Sequence, residues 1–173
     1  MPLIKNGTVI TDPYVTVSDD APLPEGGPVI VTAARFVAGT AALLERNAPV
    51  GVVWPNNKNV ADLAPFLDRL AVVALVFPNF KDGRAYSQAR LLRERYGFRG
   101  ELRATGQVLR DQFVFLVRAG FDALDVRKAA DADAFAAALA RYTVFYQPAG
   151  EGRTAAARLR AEKAPKAPVG EKV

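Results

Sequence analysis

The sequence predicts an α/β domain built on a mostly parallel sheet. Three observations carry that reading. From Val29 onward, short apolar runs alternate with stretches of helical periodicity. The run 72–77 (VVALVF) is continuously apolar, as a strand buried on both faces should be. Strands that alternate with helices imply right-handed crossovers and parallel neighbours.

In order, residues 3–17 alternate polar and β-branched side chains around Asn6-Gly7, a favoured hairpin turn, and predict a short antiparallel element. Residues 18–28 (SDDAPLPEGGP) read as a Pro/Gly/Asp linker. Strands are then expected at 29–31, 50–54, 72–77, 101–105, 123–126 and 143–147. Helices are expected between them at 37–46, 60–70, 84–96, 108–119 and 131–142. In the second of these, Leu63, Phe66, Leu67 and Leu70 share one face. This pattern suits an open doubly wound sheet. The alternative is an incomplete TIM-like barrel, because a closed one takes about 250 residues. Residues 1–28 therefore form a β-hairpin and linker, 29–147 the α/β domain, and 148–173 a basic low-complexity tail. The tail carries a nascent helix at 154–163 and is expected to be disordered beyond it.

At 173 residues the chain fits one domain with tails. It contains no cysteine, which excludes disulfides, thiolate metal sites and thiol redox chemistry. It contains no histidine either, which removes the commonest metal ligand and any Ser-His-Asp triad. No cofactor is evident: there is no GxGxxG, no Walker pattern and no paired metal-ligand spacing. Most of the net charge of +5 lies in the tail, on Arg153, Arg158, Arg160, Lys163, Lys166 and Lys172. Glu151, Glu162 and Glu171 interrupt that run, so it argues only weakly for nucleic acid. No segment approaches the roughly 20 apolar residues of a membrane helix, and the N-terminus lacks a signal-peptide pattern. A cytoplasmic location is expected.

The stretch 77–112 (FPNFKDGRAYSQARLLRERYGFRGELRATGQVLRDQ) interleaves charge, glycine and aromatic residues more densely than any other. Phe77-Pro78 closes a strand, so Asp82, Gly83 and Arg84 fall at a strand's C-terminal end, where α/β folds place their sites. Asp82 is positioned to cap the next helix. On that helix Ala85, Ala89, Leu92 and Tyr96 share the sheet-facing side. Arg84, Gln88 and Arg95 point away, and Arg90 and Arg93 flank the apolar stripe. Glu101 and Arg103 are odd on a central parallel strand: they line a polar cleft, lie near an edge, or form a buried ion-pair network. Arg110, Asp111 and Gln112 sit in the first turns of the following helix. Leu109, Phe113 and Leu116 there have core spacing, with Phe115 off the stripe. The ordinary reading is a capped helix with a solvated basic face. The functional reading is an anion- or partner-binding surface of Asp82, Gly83, Arg84, Tyr86, Ser87, Arg90, Arg93, Glu101, Arg103, Arg110, Asp111 and Gln112. In it the arginines hold an anion, Tyr86 and Ser87 donate hydrogen bonds, and Asp82, Glu101 or Asp111 handles protons.

The blocks DGRAYSQARLLRERYGFRGELRA, VLRDQ, RAGFDAL and YQ, in this order and spacing, resemble the bacterial domain-of-unknown-function 934 family over about residues 29–147. Members carry an oxidoreductase label because their genes lie beside those for sulfite reductase and cysteine biosynthesis. The resemblance implies an accessory protein of assimilatory sulfite reduction that binds or supplies electrons to the sulfite reductase system, with sulfite reductase or its electron donor as partner. The alternative is an enzyme or sensor that binds sulfite, sulfate or a nucleotide sulfate through the arginines. Three positions depart from the family pattern. Ala85 replaces a second glycine, Gln107 an aspartate, and Ala119 a cysteine, so a shared role does not depend on that thiol.

Overall fold

The structure, a computed structural model, describes residues 2–5, 7–126, 128, 130–141, 144–146 and 156–163. One eight-stranded sheet organises it: β1 (Leu3–Lys5), β2 (Thr8–Ile10), β3 (Val15–Val17), β4 (Val29–Thr32), β5 (Val50–Trp54), β6 (Val72–Phe77), β7 (Glu101–Gly106) and β8 (Ala123–Asp125). Their spatial order is β2-β1-β8-β7-β6-β5-β4-β3. Neighbours from β3 to β8 are parallel, while β1 runs antiparallel to both β2 and β8. The α/β class with a mostly parallel sheet holds.

The order from β3 to β8 is sequential and never reverses, as in a barrel and unlike the doubly wound arrangement. Chain length requires curvature as well. Eight strands about 4.8 Å apart would separate the edges of a flat sheet by about 34 Å. The edges are β2 and β3, and residues 11–14 alone join them. From Ile10 to Val15 an extended chain reaches at most about 18 Å. The sheet therefore curls into a half-barrel, and residues 11–14 form a strap across its concave side.

Successive right-handed crossovers in one direction place the helices between β4 and β8 on the other, convex face. There Val31, Val52, Trp54, Val73, Leu75, Phe77, Leu102 and Leu124 pack against helical Phe36, Leu43, Leu63, Ala85, Leu92, Phe113 and Leu116. Each of these side chains is buried. Fully burying one such large aliphatic or aromatic side chain contributes about 1.5–3 kcal/mol, so this layer is the main source of stability. On the concave face Gly51 lies between Ile30 and Val72, and an added Cβ would stand 2.8 Å from the Val72 Cβ and 2.9 Å from the Ile30 Cγ1. Only glycine lets the strands curl this tightly there.

Several elements differ locally from expectation. Helix α1 (Ala33–Leu44) begins four residues earlier than the apolar spacing suggests, because the Thr32 hydroxyl accepts the Arg35 N–H at 3.2 Å. Residues Val60–Phe66 form a 3₁₀ helix containing Pro65 in place of an α-helix. The stretch 84–96 is α2 (Arg84–Arg90) continued by a π turn over Leu91–Arg95. A 3₁₀ turn (Arg110–Gln112) precedes α3 (Phe113–Arg118), and α4 (Asp131–Arg141) and α5 (Ala156–Lys163) follow. The antiparallel hairpin is β1–β2 alone, since β3 pairs parallel with β4 at the far edge. Of the strand expected at 143–147, residues 143 and 147 lie outside the described residues, and Val144–Tyr146 hold only an isolated bridge at Phe145. Asn6 of the expected hairpin turn, residue 142 of the helix expected at 131–142, and residues 148–155 and 164–173 of the tail also lie outside them. Among the described residues, no helix is long and apolar enough to cross a membrane.

Candidate functional site: the strand C-terminal rim and the concave face

The stretch 77–112 folds into four separate surroundings. The first is the rim at the C-terminal ends of the strands. Gly106 closes β7 with φ 94°, and an added Cβ would lie 2.4 Å from the Phe77 carbonyl oxygen. That contact requires glycine and brings the loop after β7 against the loop after β6. The Gln107 side-chain oxygen accepts the Phe80 N–H at 3.4 Å, and the Gln112 amide donates to the Phe80 carbonyl at 3.1 Å. Phe80 is thus held from both sides of its backbone while the residue stays 46% exposed, with Lys81 over its ring at 5.6 Å. Phe115, one turn beyond Gln112 on the same side of the helix, is 62% exposed.

Asp82, Gly83, Arg84, Tyr86, Arg110, Asp111 and Gln112 all belong to this rim. Gly83, not Asp82, is the cap residue of α2, and Asp82 accepts the Arg84 N–H at 3.2 Å. The Arg84 guanidinium binds the same carboxylate at 2.6 Å. Those hydrogen bonds hold the Asp82 carboxyl well below the usual carboxylate range, aided by the neighbouring Asn56 amide. Tyr86 packs edge-on against Phe77 at 5.1 Å, and burial, then the charge of Asp111, pushes its hydroxyl up to about 12. It is therefore a neutral hydrogen-bonding group at physiological pH. Arg110 pairs with Asp131. Gln88, expected to point outward, is buried and donates to the Pro55 and Lys58 carbonyls at 3.1 and 2.8 Å, tying α2 to the loop after β5.

The second surrounding is the opposite end of the sheet, where Arg93 is a structural staple. It donates to the carbonyls of Phe98 (2.7 Å), Gly100 (2.9 Å) and Gly120 (3.0 Å) and to the Asp122 carboxylate. The third is the outer face of α2, where Ser87 is exposed and Arg90 pairs with Glu94 at 3.1 Å.

The fourth is the concave face, which receives Glu101 and Arg103. Strand register sets Arg103 beside Ala74 and Ala123, with Lys5 one strand further on. The Arg103 side chain is 3% exposed. Its guanidinium donates to Glu101 at 2.8 Å and to Asp12 of the strap at 2.5 and 3.1 Å. Tyr14 covers it at 5.8 Å, and Lys5 reaches Glu101 at 2.7 Å. Burial would raise the Asp12 carboxyl, but hydrogen bonds from Arg103 and the Tyr14 N–H bring it below its ordinary value. The Glu101 hydrogen bond raises Lys5. Asp125, at the end of β8, faces the same cluster, and burial raises its carboxyl despite a hydrogen bond from Thr105. Two cations, Lys5 and Arg103, thus face three carboxylates there, Asp12, Glu101 and Asp125.

The structure therefore gathers seven of the twelve predicted residues at the rim and pairs Glu101 with Arg103 inside. Ser87, Arg90 and Arg93 lie elsewhere. Asp12, Lys5, Tyr14 and Asp125 were not foreseen. The one local sign was Asp12-Pro13, a chain-directing pair that ends β2. Among the described residues, no group of three or more acidic side chains is placed to hold a metal ion. No match is found among curated proteins. The family described as "Bacterial protein of unknown function (DUF934)" matches residues 51–157, which include the rim, the π turn, Glu101 and Arg103, while Lys5, Asp12 and Tyr14 precede the matched stretch. The chain belongs to this family.

Proposed function

We propose that the protein is an accessory, partner-binding factor of assimilatory sulfite reduction, engaging sulfite reductase or its electron donor through the strand C-terminal rim. The pathway rests on the gene neighbourhood that goes with the family resemblance. The mode of action rests on one observation: the rim presents Phe80 as an exposed aromatic whose backbone is clamped by Gln107 and Gln112. A pre-ordered exposed aromatic beside cationic side chains is what protein interfaces use as an anchor, because little ordering entropy remains to be lost on binding.

A small-anion site formed by Arg84, Arg90, Arg93 and Arg103 has less support. Each of these guanidiniums is matched to a carboxylate, and the four lie in different surroundings. Absence of cysteine and histidine from the sequence also leaves no ligands for an iron–sulfur cluster or an axially histidine-bound haem.

The test is co-purification from cells grown on sulfate, comparing the intact chain with Phe80→Asp. Retention of sulfite reductase or its reductase partner by the intact chain, and its loss with Phe80→Asp, is the expected result. Equal capture by both would remove the rim from the account. Failure to capture either protein, alongside tight binding of sulfite or adenylyl sulfate by calorimetry, would favour the anion reading.

A further inference from the structure

We infer that the outward face of α2 and its π turn is a second docking surface, for a partner segment presenting an apolar side chain ringed by carboxylates. This goes beyond the sulfite-reduction reading and does not depend on it.

The surface follows from the way the helix is built. Ala85, Ala89 and Leu92 are buried against the sheet, so Arg84, Ser87, Leu91 and Arg95 face outward at helical spacing. At Leu91 the helix widens: the Tyr96 N–H reaches the Leu91 carbonyl at 3.0 Å, a five-residue turn. The wider turn lets Arg93 swing inward beside Leu92 and leaves Leu91 39% exposed. A shallow hollow of about 450 Å³ opens there, lined by Ser87, Arg90, Leu91, Glu94 and Arg95. An apolar residue inside a charged ring is the arrangement in which rim groups exclude water from a central contact.

Charge selects the partner. Lys81, Arg84, Arg90, Arg95 and Arg99 are exposed along this stretch against only Asp82 and Glu94 as exposed or half-exposed acids. Arg95 rests over the Tyr96 ring at 5.7 Å, and its charge is not matched by an ion pair among the described residues. A segment with carboxylates flanking a leucine-type anchor complements both features. A cationic segment meets repulsion.

The experiment measures binding of two synthetic amphipathic helical peptides to the full chain by fluorescence anisotropy. Both carry a leucine stripe, flanked by glutamates in one and by lysines in the other. The glutamate peptide is expected to bind, and the lysine peptide to bind at least about tenfold more weakly. Leu91→Asp and Arg95→Glu should each weaken the glutamate peptide about tenfold or more. Val37→Asp, at an exposed valine on α1, should leave it unchanged. Thermal melting of each variant checks that folding is intact, which the exposure of these positions predicts. Equal affinity for the two peptides, no binding of either, or unchanged affinity in Leu91→Asp and Arg95→Glu would overturn the proposal. Tighter binding of a single-stranded RNA oligonucleotide than of the glutamate peptide would overturn it too.

Discussion

Asp12 and Arg103, 91 residues apart, meet on the concave face of the half-barrel through two hydrogen bonds of 2.5 and 3.1 Å. Asp12 lies on the strap that joins the two edges of the sheet, and Arg103 on a central strand. The pair fastens the chain segment that limits how far the sheet can open. Breaking a buried ion pair from one side costs more than the pair's net worth, because the remaining charge stays desolvated.

Arg103→Met should therefore lower unfolding free energy by about 3–5 kcal/mol, as Asp12 and Glu101 lose their shared partner. Asp12→Asn should cost less, about 1–3 kcal/mol, since Glu101 still holds the guanidinium. The triple variant Asp12→Asn, Glu101→Gln, Arg103→Met should recover most of the loss. Urea unfolding measures all three. A triple variant no more stable than Arg103→Met alone would show that charge balance is not what the network supplies.

Asp125 gives the concave cluster a pH dependence. Its folded-state pKa is raised, by burial first and by the charge of Asp12, against favourable effects of Thr105 and Arg103. A carboxyl of this kind binds its proton more tightly when folded. Its contribution is full below the unfolded value near 3.8 and is lost as pH rises through the folded value. Asp12 has the opposite sign: its contribution is present above its unfolded value and falls away as pH drops through the lowered folded one. Asp125→Asn should therefore be more stable than the parent at neutral pH, with the difference shrinking toward pH 4. Stability curves at several pH values test this; a difference that grows toward acid would reverse the assignment.

Gly106 should be irreplaceable where Gly26 is not. Gly106→Ala combines a left-handed φ of 94° with a Cβ 2.4 Å from the Phe77 carbonyl oxygen. A loss of about 2–4 kcal/mol is expected, with faster amide exchange in the loop that carries Gln107 and Gln112. A Cβ at Gly26 meets nothing within 4 Å, so Gly26→Ala should change stability by less than about 1 kcal/mol. Equal effects at the two positions would contradict the rim geometry.

What could be read from sequence follows the range of the forces involved. The strands and convex-face helices were legible because burial writes a local period: 72–77 is apolar throughout and forms β6, and Phe113 and Leu116 are buried while Phe115 is not. The choice between doubly wound and barrel-like order was not legible, because it depends on the direction each crossover takes across the sheet. Pro65 turned an apparent helix into a 3₁₀ segment within one turn. Gln88 read as a surface residue by polarity, yet two backbone carbonyls accept its amide N–H groups inside. The Glu101–Arg103 pair was visible as an anomaly on its strand. Its partner Asp12 could not be found locally, since only the curl of the sheet brings position 12 to position 103.

Growth of a deletion strain tests the proposed accessory role in sulfite reduction most directly. In the host bacterium, the deletion should slow growth with sulfate or sulfite as sole sulfur source and leave growth on cysteine unchanged. The intact gene should restore the rate, and Phe80→Asp should not. Normal growth of the deletion strain on sulfate and sulfite, under both abundant and limited electron supply, would contradict the account.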